Sequence, residues 1–274
     1  MNRLERPIAS DWLALRRPAD ERAREASRPL LDALADYFAG QEAWDAVEVI
    51  DVGAGTGANQ AWLAPRLQFR QRWTLLDHDP DLLALTPAQN HDTEDVPLKR
   101  VVAGIEDLDA LLRARSKHCL VTCSALLDLL SATQLDAFCD LLGEHGIPAL
   151  LSLSVTGAVD VEPGHPFDAE ANRLFNDHQE RGSLLGPAAT SRAAARLRAA
   201  GLRVEAADTP WELESDDLGL ASRYLQDRAE AIIEQDPARS AEVAAWLADR
   251  MEHLRAGRLG LRVGHRDLLC LPPQ

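Results

Sequence analysis

Apolar positions along the chain follow two patterns that alternate. Short, β-branched runs are typical of strands buried on both faces, and between them apolar residues recur every three or four positions, as on a helix. The predicted strands cover 47–52, 72–77, 97–102, 118–123, 147–155 and 202–207, and a last apolar run covers 260–271. Strands that alternate with helices in this way predict an α/β fold with a mostly parallel sheet.

Some segments do not follow this alternation. Residues 10–38 have the spacing of one or two helices before the first strand, and Pro18 is placed to begin the second of them. A polar insert at 156–190 follows the fifth strand, and a helical insert at 210–256 follows the sixth. We therefore expect a single domain over residues 1–274, with an N-terminal helical cap at 1–40.

The first strand ends in a glycine turn. Asp51 is followed by Gly53, Ala54, Gly55 and Gly57, and then by an apparent helix. A turn of this kind leaves backbone N–H groups available to a ligand. A dinucleotide site usually has the spacing G-x-G-x-x-G, whereas this turn has G-x-G-x-G. The charge of Asp51 would repel a pyrophosphate, so the stretch favours a cationic or amino-bearing ligand.

The stretch resembles the glycine-rich motif of class I S-adenosylmethionine-dependent methyltransferases. The resemblance extends from about residue 45 to the last residue and implies a Rossmann-like sheet of seven strands with helices on both faces. It places the last strand antiparallel between the fifth and the sixth. It also implies S-adenosyl-L-methionine as cofactor, with Asp51 and the turn from Gly53 through Ala54 and Gly55 to Gly57 around its methionine part.

Further cofactor contacts are expected where later strands end. Asp77 closes the second strand, and its carboxylate can accept hydrogen bonds from two ribose hydroxyls. The resemblance suggests an adenine contact at His78 and an acidic acceptor for the adenine amino group after the third strand. Glu106 and Asp107 are both candidates for that acceptor. Ser124 directly follows the fourth strand, where it would lie beneath the sulfonium.

The acceptor side is less defined by the sequence. Asp128 lies in an apolar run and is a candidate general base, with capping of the helix near Ser131 as the alternative. His178 is the second candidate base. It belongs to the segment 172–181, which we expect to recognise the acceptor because it follows the fifth strand, although a solvated helix face is the alternative.

Several arginines precede the first strand, and four of them are candidates for a cofactor contact. In many members of the family an N-terminal helix closes over the cofactor, and an arginine there can pair with the cofactor carboxylate. The candidates are Arg16, Arg17, Arg22 and Arg24, and for each of them a solvated surface position is the alternative.

Composition narrows the class of partner. The net charge of −15, from 44 acidic and 29 basic residues, argues against nucleic acid as a partner. The four cysteines form no C-x-x-C pair, so no metal site is expected and a reducing compartment is favoured. Without a signal peptide or an apolar run of membrane-spanning length, we expect a cytoplasmic protein that acts on a small molecule.

These patterns predict methyl transfer from S-adenosylmethionine to an oxygen or nitrogen of a small-molecule acceptor. Two alternatives belong to other classes. One is an NAD(P)-dependent oxidoreductase, and the other is a non-catalytic S-adenosylmethionine-binding protein. The sequence defines neither the acceptor atom nor the oligomeric state.

Overall fold

The computed structural model describes residues 10–41, 45–86 and 98–273. Residues 1–9 of the expected helical cap and Pro97 of the expected third strand lie outside this part of the chain. The chain divides into two compact units. The larger, called here the sheet unit, contains Arg24–Gly157, Gln179–Pro210 and the residues from Gly264 onward. The insert unit contains the residues up to Ala23 together with Ala158–His178 and Trp211–Val263.

The strands form one sheet, in the order β3-β2-β1-β4-β5-β8-β6, and β7 pairs with β8. The pairs among β1 to β5 are parallel, whereas β6 and β7 pair antiparallel with β8. This confirms the expected mostly parallel sheet with its last strand between the fifth and the sixth. The strands are β1 Val47–Val52, β2 Gln71–Asp77, β3 Leu98–Val102, β4 Cys119–Ser124, β5 Ala149–Glu162, β6 Arg203–Asp208, β7 Trp211–Leu213 and β8 Gly260–Leu271.

Ten α-helices occur in the described residues. They are α1 Ser10–Arg24, α2 Arg28–Ala39, α3 Ala58–Leu63, α4 Pro80–Ala84, α5 Leu108–Ala114, α6 Ala132–His145, α7 Asp168–Gln179, α8 Ala189–Ala199, α9 Leu218–Gln235 and α10 Ser240–Arg255. In the sheet unit, apolar residues of α5, α6 and α8 cover one face of the sheet, and those of α2 and α3 cover the other. Helices on both faces are therefore confirmed.

Side chains of β1 pack into the apolar layers on both faces of the sheet. Val47 and Val49 pack on the side of α2 and α3, while Ile50 and Val52 pack on the side of α5 and α6. Asp51 has the same parity as Val49, so its side chain points to the face covered by α2 and α3.

The expected break at Pro18 is wrong, because Pro18 lies inside α1. A proline has the helical φ already and removes one N–H donor, so a helix can continue through it at some loss of stability. The next helix begins at Arg28, after a 3-10 turn at Glu25–Ser27, and has Pro29 in its first turn.

The fifth strand is longer than the expected 147–155. β5 continues to Glu162, inside the segment assigned to the first insert. From Ala158 to Glu162 exposed and partly buried residues alternate, which is the pattern of a strand with one solvated face. The same alternation is present in the sequence, where Val159 and Val161 alternate with Asp160 and Glu162. The short strand β7 was also not expected, and with it the sheet has eight strands instead of the expected seven.

The insert unit brings together three segments that are distant in the sequence. Trp211 Nε1 donates a hydrogen bond to Asp20 Oδ1 at 2.9 Å, which joins the second insert to α1. Trp246 Nε1 donates to Asp168 Oδ1 at 2.8 Å, which joins α10 to α7. The expected cap and both expected inserts therefore contribute to one compact unit, and the description of the chain as a single domain stays a prediction.

Candidate functional site

The glycine turn has a left-handed backbone. The φ angles are 67°, 53° and 79° at Gly53, Gly55 and Gly57. A Cβ at Gly57 would lie 2.6 Å from Cγ2 of Thr86, so side chains are excluded there by a neighbour in the protein as well as by φ. The backbone of the turn and its neighbour Thr86 therefore favour glycine at Gly57 independently of any ligand.

Asp77 fastens this turn to β2. Its Oδ2 accepts a hydrogen bond from the backbone N–H of Gly55 at 2.7 Å, and its Oδ1 accepts one from the N–H of Asp79 at 2.9 Å. The residue is 6% exposed. His78 is largely exposed, and its Nδ1 lies 3.3 Å from Oδ1 of Asp77. The predicted ribose acceptor is therefore next to the predicted methionine-binding turn.

Asp51 is completely buried at the end of β1. Its Oδ1 accepts hydrogen bonds from Asn59 Nδ2 at 2.5 Å and from Thr122 Oγ1 at 2.8 Å. Burial raises the pKa of Asp51 to about 6, although the two hydrogen bonds and the charge of Arg24 lower it. The carboxylate of Asp77 adds a smaller upward contribution to that pKa.

Two oxygens beside this cluster have no donor. Asp51 Oδ2 and Asn59 Oδ1 are both buried, and neither has a hydrogen-bond partner in the part of the chain that the structure describes. Asn59 also donates to Thr122 Oγ1 at 3.3 Å. A buried acceptor without a donor carries a desolvation penalty of about 1–3 kcal/mol, so this place suits a ligand that donates hydrogen bonds.

Asn59 and Thr122 were not among the residues expected from the sequence. Asn59 is in the first turn of α3 directly after the glycine motif, and its burial, which marks it as part of the site, is visible only in the structure. Thr122 lies beside Asp51 in the register of β4 on β1, a relationship that appears only when the strands are paired.

The four candidate arginines before β1 have different surroundings. Arg16, Arg17 and Arg22 form ion pairs with Asp20, Glu21 and Asp217. Arg24 is 3% exposed, and its guanidinium carbon lies 4.0 Å from the ring centroid of Trp62. Arg24 is thus the arginine of this group that is buried in the sheet unit, where its charge acts on Asp51.

The two acidic candidates after the third strand differ in their contacts. Asp107 Oδ2 accepts a hydrogen bond from the N–H of Gly104 at 3.0 Å and so caps the turn before α5. Glu106 is exposed, and its carboxylate lies over Gly104. Because Asp107 has this local role, Glu106 is the better candidate for an adenine contact.

Ser124 and Asp128 both belong to the sheet unit. Ser124 ends β4 opposite Ser152 of β5. Asp128 is half-buried in the 3-10 turn Leu127–Leu129. The N-cap of α6 is Ser131, whose Oγ accepts a hydrogen bond from the N–H of Gln134, so the alternative role of Asp128 as the helix cap is wrong.

His178 belongs to the insert unit. Its Nε2 lies 3.1 Å from Oε2 of Glu234 on α9, so α7 and α9 are linked by this pair. In the same segment Asn172 Oδ1 accepts a hydrogen bond from Arg228. Both side chains therefore have partners inside the insert unit, whereas Asp51, Asp77 and Asp128 belong to the sheet unit.

A buried carboxylate in β8 was missed at the sequence level. Asp267 is 0% exposed and accepts three hydrogen bonds, from Ser27 Oγ at 2.6 Å, Leu153 N at 2.7 Å and Thr209 Oγ1 at 2.9 Å. Leu153 has a φ of 52°, which a leucine adopts only when its surroundings impose it. An acidic residue inside an apolar strand was the signal for this network.

Further observations on the described residues concern thiols, metal sites and membrane-spanning helices. Cys119, Cys123, Cys139 and Cys270 are buried free thiols, and burial raises the pKa of each. No group of three or more His, Cys, Asp or Glu side chains within the described ranges is arranged to hold a metal ion. No helix in those ranges is both long enough and apolar enough to cross a bilayer.

Comparison with known proteins supports the fold. No family model matches the chain, and no curated protein matches it in sequence. The cyclopropane synthase MmaA2 from Mycobacterium tuberculosis has a similar structure, with a TM-score of 0.50 and 14% identity over 96% of this chain and 94% of that one. The YcgJ protein from Bacillus subtilis has a TM-score of 0.48 and 15% identity, over 90% of this chain and 99% of that one. The mycolic acid cyclopropane synthase CmaA1, complexed with SAH and CTAB, has a TM-score of 0.46 and 15% identity, over 88% of this chain and 83% of that one.

The sheet order, the antiparallel last strand and the helices on both faces define a Rossmann-like fold of the class I methyltransferase type. The similarity to MmaA2 covers nearly the whole chain and agrees with this assignment. The fold expected from the glycine motif is therefore confirmed. At 14% identity the similarity establishes the fold alone, and function has to be argued from the site.

Proposed function

We propose that this chain is an enzyme that binds S-adenosyl-L-methionine at the glycine turn and transfers its methyl group to a small-molecule acceptor. The observation that carries the proposal is the pair of buried acceptors without donors, Asp51 Oδ2 and Asn59 Oδ1. The ammonium group of the cofactor's methionine part supplies N–H donors and a positive charge, which complement this pair. A pyrophosphate offers only acceptors and a negative charge, so the dinucleotide alternative is disfavoured.

The other proposed cofactor contacts follow from the same site. The carboxylate of Asp77 would receive the ribose hydroxyls, beside its hydrogen bond to Gly55. Glu106 would receive the adenine amino group, with His78 near the base and Ser124 beneath the sulfonium. Arg24, close enough for its charge to lower the pKa of Asp51, is a candidate partner for the cofactor carboxylate.

When bound, the cofactor supplies an activated methyl group on a sulfonium. The protein has to orient the acceptor along the line of the breaking carbon–sulfur bond and to exclude water. An oxygen or nitrogen acceptor also has to lose a proton, and we propose Asp128 or His178 as the base. We keep the segment 172–181 as the proposed acceptor-recognition segment.

Ligand-induced stabilisation tests the cofactor part. A ligand that binds only the folded state at 100 times its dissociation constant stabilises it by about 2.7 kcal/mol. We expect S-adenosylhomocysteine to raise the melting temperature, and NAD or NADP to leave it unchanged. Stabilisation by the dinucleotide alone would establish the oxidoreductase alternative. Binding of S-adenosylhomocysteine without turnover on any acceptor of a broad panel would favour the non-catalytic alternative.

Paired variants test the acceptor part. The double variant His178→Ala with Gln179→Ala is expected to keep cofactor affinity and to lose turnover once an acceptor is found. Glu234→Ala serves as the matched control, because it breaks the same ion pair and leaves the imidazole in place. Full turnover in the double variant would return the segment to a surface role. Loss of turnover in Glu234→Ala as well would show that the ion pair, and not a base at His178, is required for turnover.

The proposed partners and location follow the composition. A net charge of −15 supports a small-molecule substrate over a nucleic acid. The four free cysteines are consistent with the reducing cytoplasm that we propose as its location.

A further inference from the structure

Arg228 is a buried arginine of the insert unit with unusual partners. It lies on α9 and is 4% exposed. Its Nη1 donates a hydrogen bond to the hydroxyl of Tyr224 at 3.0 Å, and its Nη2 donates to Asn172 Oδ1 on α7. The guanidinium carbon lies 4.2 Å from the ring centroid of Phe175. All three neighbours are neutral.

No carboxylate pairs with this guanidinium in the described part of the chain. The contrast is Arg250 of the same unit, which is 2% exposed and pairs with both Asp249 and Asp168. Burial lowers the pKa of Arg228, while the hydroxyl of Tyr224 and the more distant charge of Asp168 raise it. An arginine nevertheless stays protonated in proteins, so the insert unit encloses a positive charge that is in direct contact with no carboxylate of the described residues.

The guanidinium also has donors to spare. It carries five N–H bonds in a planar fork, and its hydrogen bonds to Tyr224 and Asn172 use two of them. Its Nε–H takes part in neither of these two hydrogen bonds. A planar fork of N–H donors is the geometry that binds a carboxylate or a phosphate through two parallel hydrogen bonds.

We propose that Arg228, between α7 and α9, binds the carboxylate or phosphate group of a small anionic ligand. The oxyanion supplies the missing negative charge and the missing acceptors at one place. Phe175 and Tyr224 flank the guanidinium, and their rings shield the ion pair from water, which strengthens it. The site lies within the insert unit, and this proposal does not depend on methyl transfer.

The test uses inorganic phosphate and acetate as probes of the two anion classes. Each is titrated into the full chain without cofactor, and the melting temperature is compared with that in chloride at the same ionic strength. We expect at least one of the two anions to raise the melting temperature in a saturable manner. Phosphate alone would assign a phosphorylated ligand and acetate alone a carboxylic acid. No saturable rise with either anion overturns the proposal.

Variants on the same helix separate a site from a general charge effect. Arg228→Gln removes the charge and is expected to weaken anion affinity roughly tenfold or more, as for the loss of hydrogen bonds to a charged group. Arg223→Gln is the matched control, because Arg223 lies on the same helix, is 39% exposed and is paired with Asp227. Equal weakening in both variants would overturn the proposal.

A conservative variant covers the case in which Arg228→Gln fails to fold. Arg228→Lys keeps the positive charge and loses the planar fork, so we expect it to fold and to bind the anion several-fold more weakly than the wild type. Unchanged affinity of a folded Arg228→Lys would contradict recognition by the fork.

Discussion

The carboxylate of Asp77 accepts a hydrogen bond from the backbone N–H of Gly55 at 2.7 Å, across 22 positions of sequence. This contact fixes the middle of the glycine turn to the end of β2. Two parts of the proposed cofactor site are therefore mechanically connected before any ligand binds. A change at Asp77 should consequently affect the shape of the turn as well as the contact with the ribose.

Asp77→Ala should weaken S-adenosylhomocysteine binding by roughly 1.5–3 kcal/mol, as for hydrogen bonds to a charged group. The variant should also discriminate less against a 2′-deoxyribose analogue, since the acceptor for that hydroxyl is gone. Calorimetry with both ligands measures the two effects. Asp79→Ala is the neighbouring control, because Asp79 caps α4 and is not expected to contact the cofactor. Discrimination equal to the wild type would show that Asp77 does not hold the ribose.

Gly55→Val should abolish measurable cofactor binding. Gly55 has a φ of 53°, and an L residue held in this region is disfavoured by roughly 1–2 kcal/mol, more so when it is β-branched. Gly146→Val is the control for backbone strain, because Gly146 has a φ of 58° and open space around it at the end of α6. Both variants should lose stability, and only Gly55→Val should lose affinity in calorimetry. Full affinity in a folded Gly55→Val would falsify the assignment of the turn.

Asp51 makes the stability of the free protein depend on pH. Its pKa is about 6 in the folded chain against 3.8 for an ordinary aspartate, so between these values the folded state holds a proton that the unfolded state has lost. Stability from this group therefore falls as pH rises from about 4 to about 6 and stays lower above that range, by on the order of 3 kcal/mol at most.

Asp51→Asn removes this titration. The free energy of unfolding of this variant minus that of the wild type, both measured by urea denaturation, should therefore increase from pH 4 to pH 7. Thr122→Val is the complementary variant, since it removes a hydrogen bond that lowers the pKa and should move the transition to higher pH. A constant difference between Asp51→Asn and the wild type across this range would contradict the elevated pKa.

The same group should govern the pH dependence of cofactor affinity. Only the ionised carboxylate of Asp51 pairs with the ammonium of the cofactor, so affinity for S-adenosylhomocysteine should rise up to tenfold per pH unit below about 6 and level off above it. Calorimetry at pH 5, 6, 7 and 8 measures this profile. Asp51→Asn should bind more weakly and with a flat profile, and an equally steep profile in that variant would exclude Asp51 as its source.

Asp267→Ala should destabilise the protein by roughly 3–5 kcal/mol, because it leaves buried donors without their acceptor. Thr209→Val removes one of those donors and keeps the carboxylate, so its loss should be nearer 1 kcal/mol. Urea denaturation of both variants measures the two losses of stability and so tests whether the first is several times the second. Similar losses in the two would mean that Asp267 is not the centre of the network.

The parts of the site that could be predicted are those that depend on residues close together in the sequence. The glycine motif and the acidic end of β2 depend on neighbours in sequence, and the described structure has a left-handed turn and a buried Asp77 there. Asn59 and Arg24 could not be assigned in the same way. Their roles depend on which helix covers which face of the sheet, and this is decided by contacts between distant segments.

The insert unit shows the same limit at a larger scale. Helical periodicity predicted a helical insert at 210–256, and α9 and α10 lie within it, because an amphipathic pattern is local. That α1, α7 and the second insert share one compact unit depends on contacts such as that of Asp20 with Trp211, 191 positions away. No spacing along the chain contains such information.

The place of β8 in the sheet has a consequence for biosynthesis. β8 follows every other element in the chain, yet it lies between β5 and β6. While the polypeptide is still emerging from the ribosome, the edge of β5 has no partner on that side and β6 has no sheet to join. The nascent chain therefore presents open strand edges until β8 is made, a state prone to aggregation. Chaperone dependence during translation should accordingly be greatest just before β8 is released.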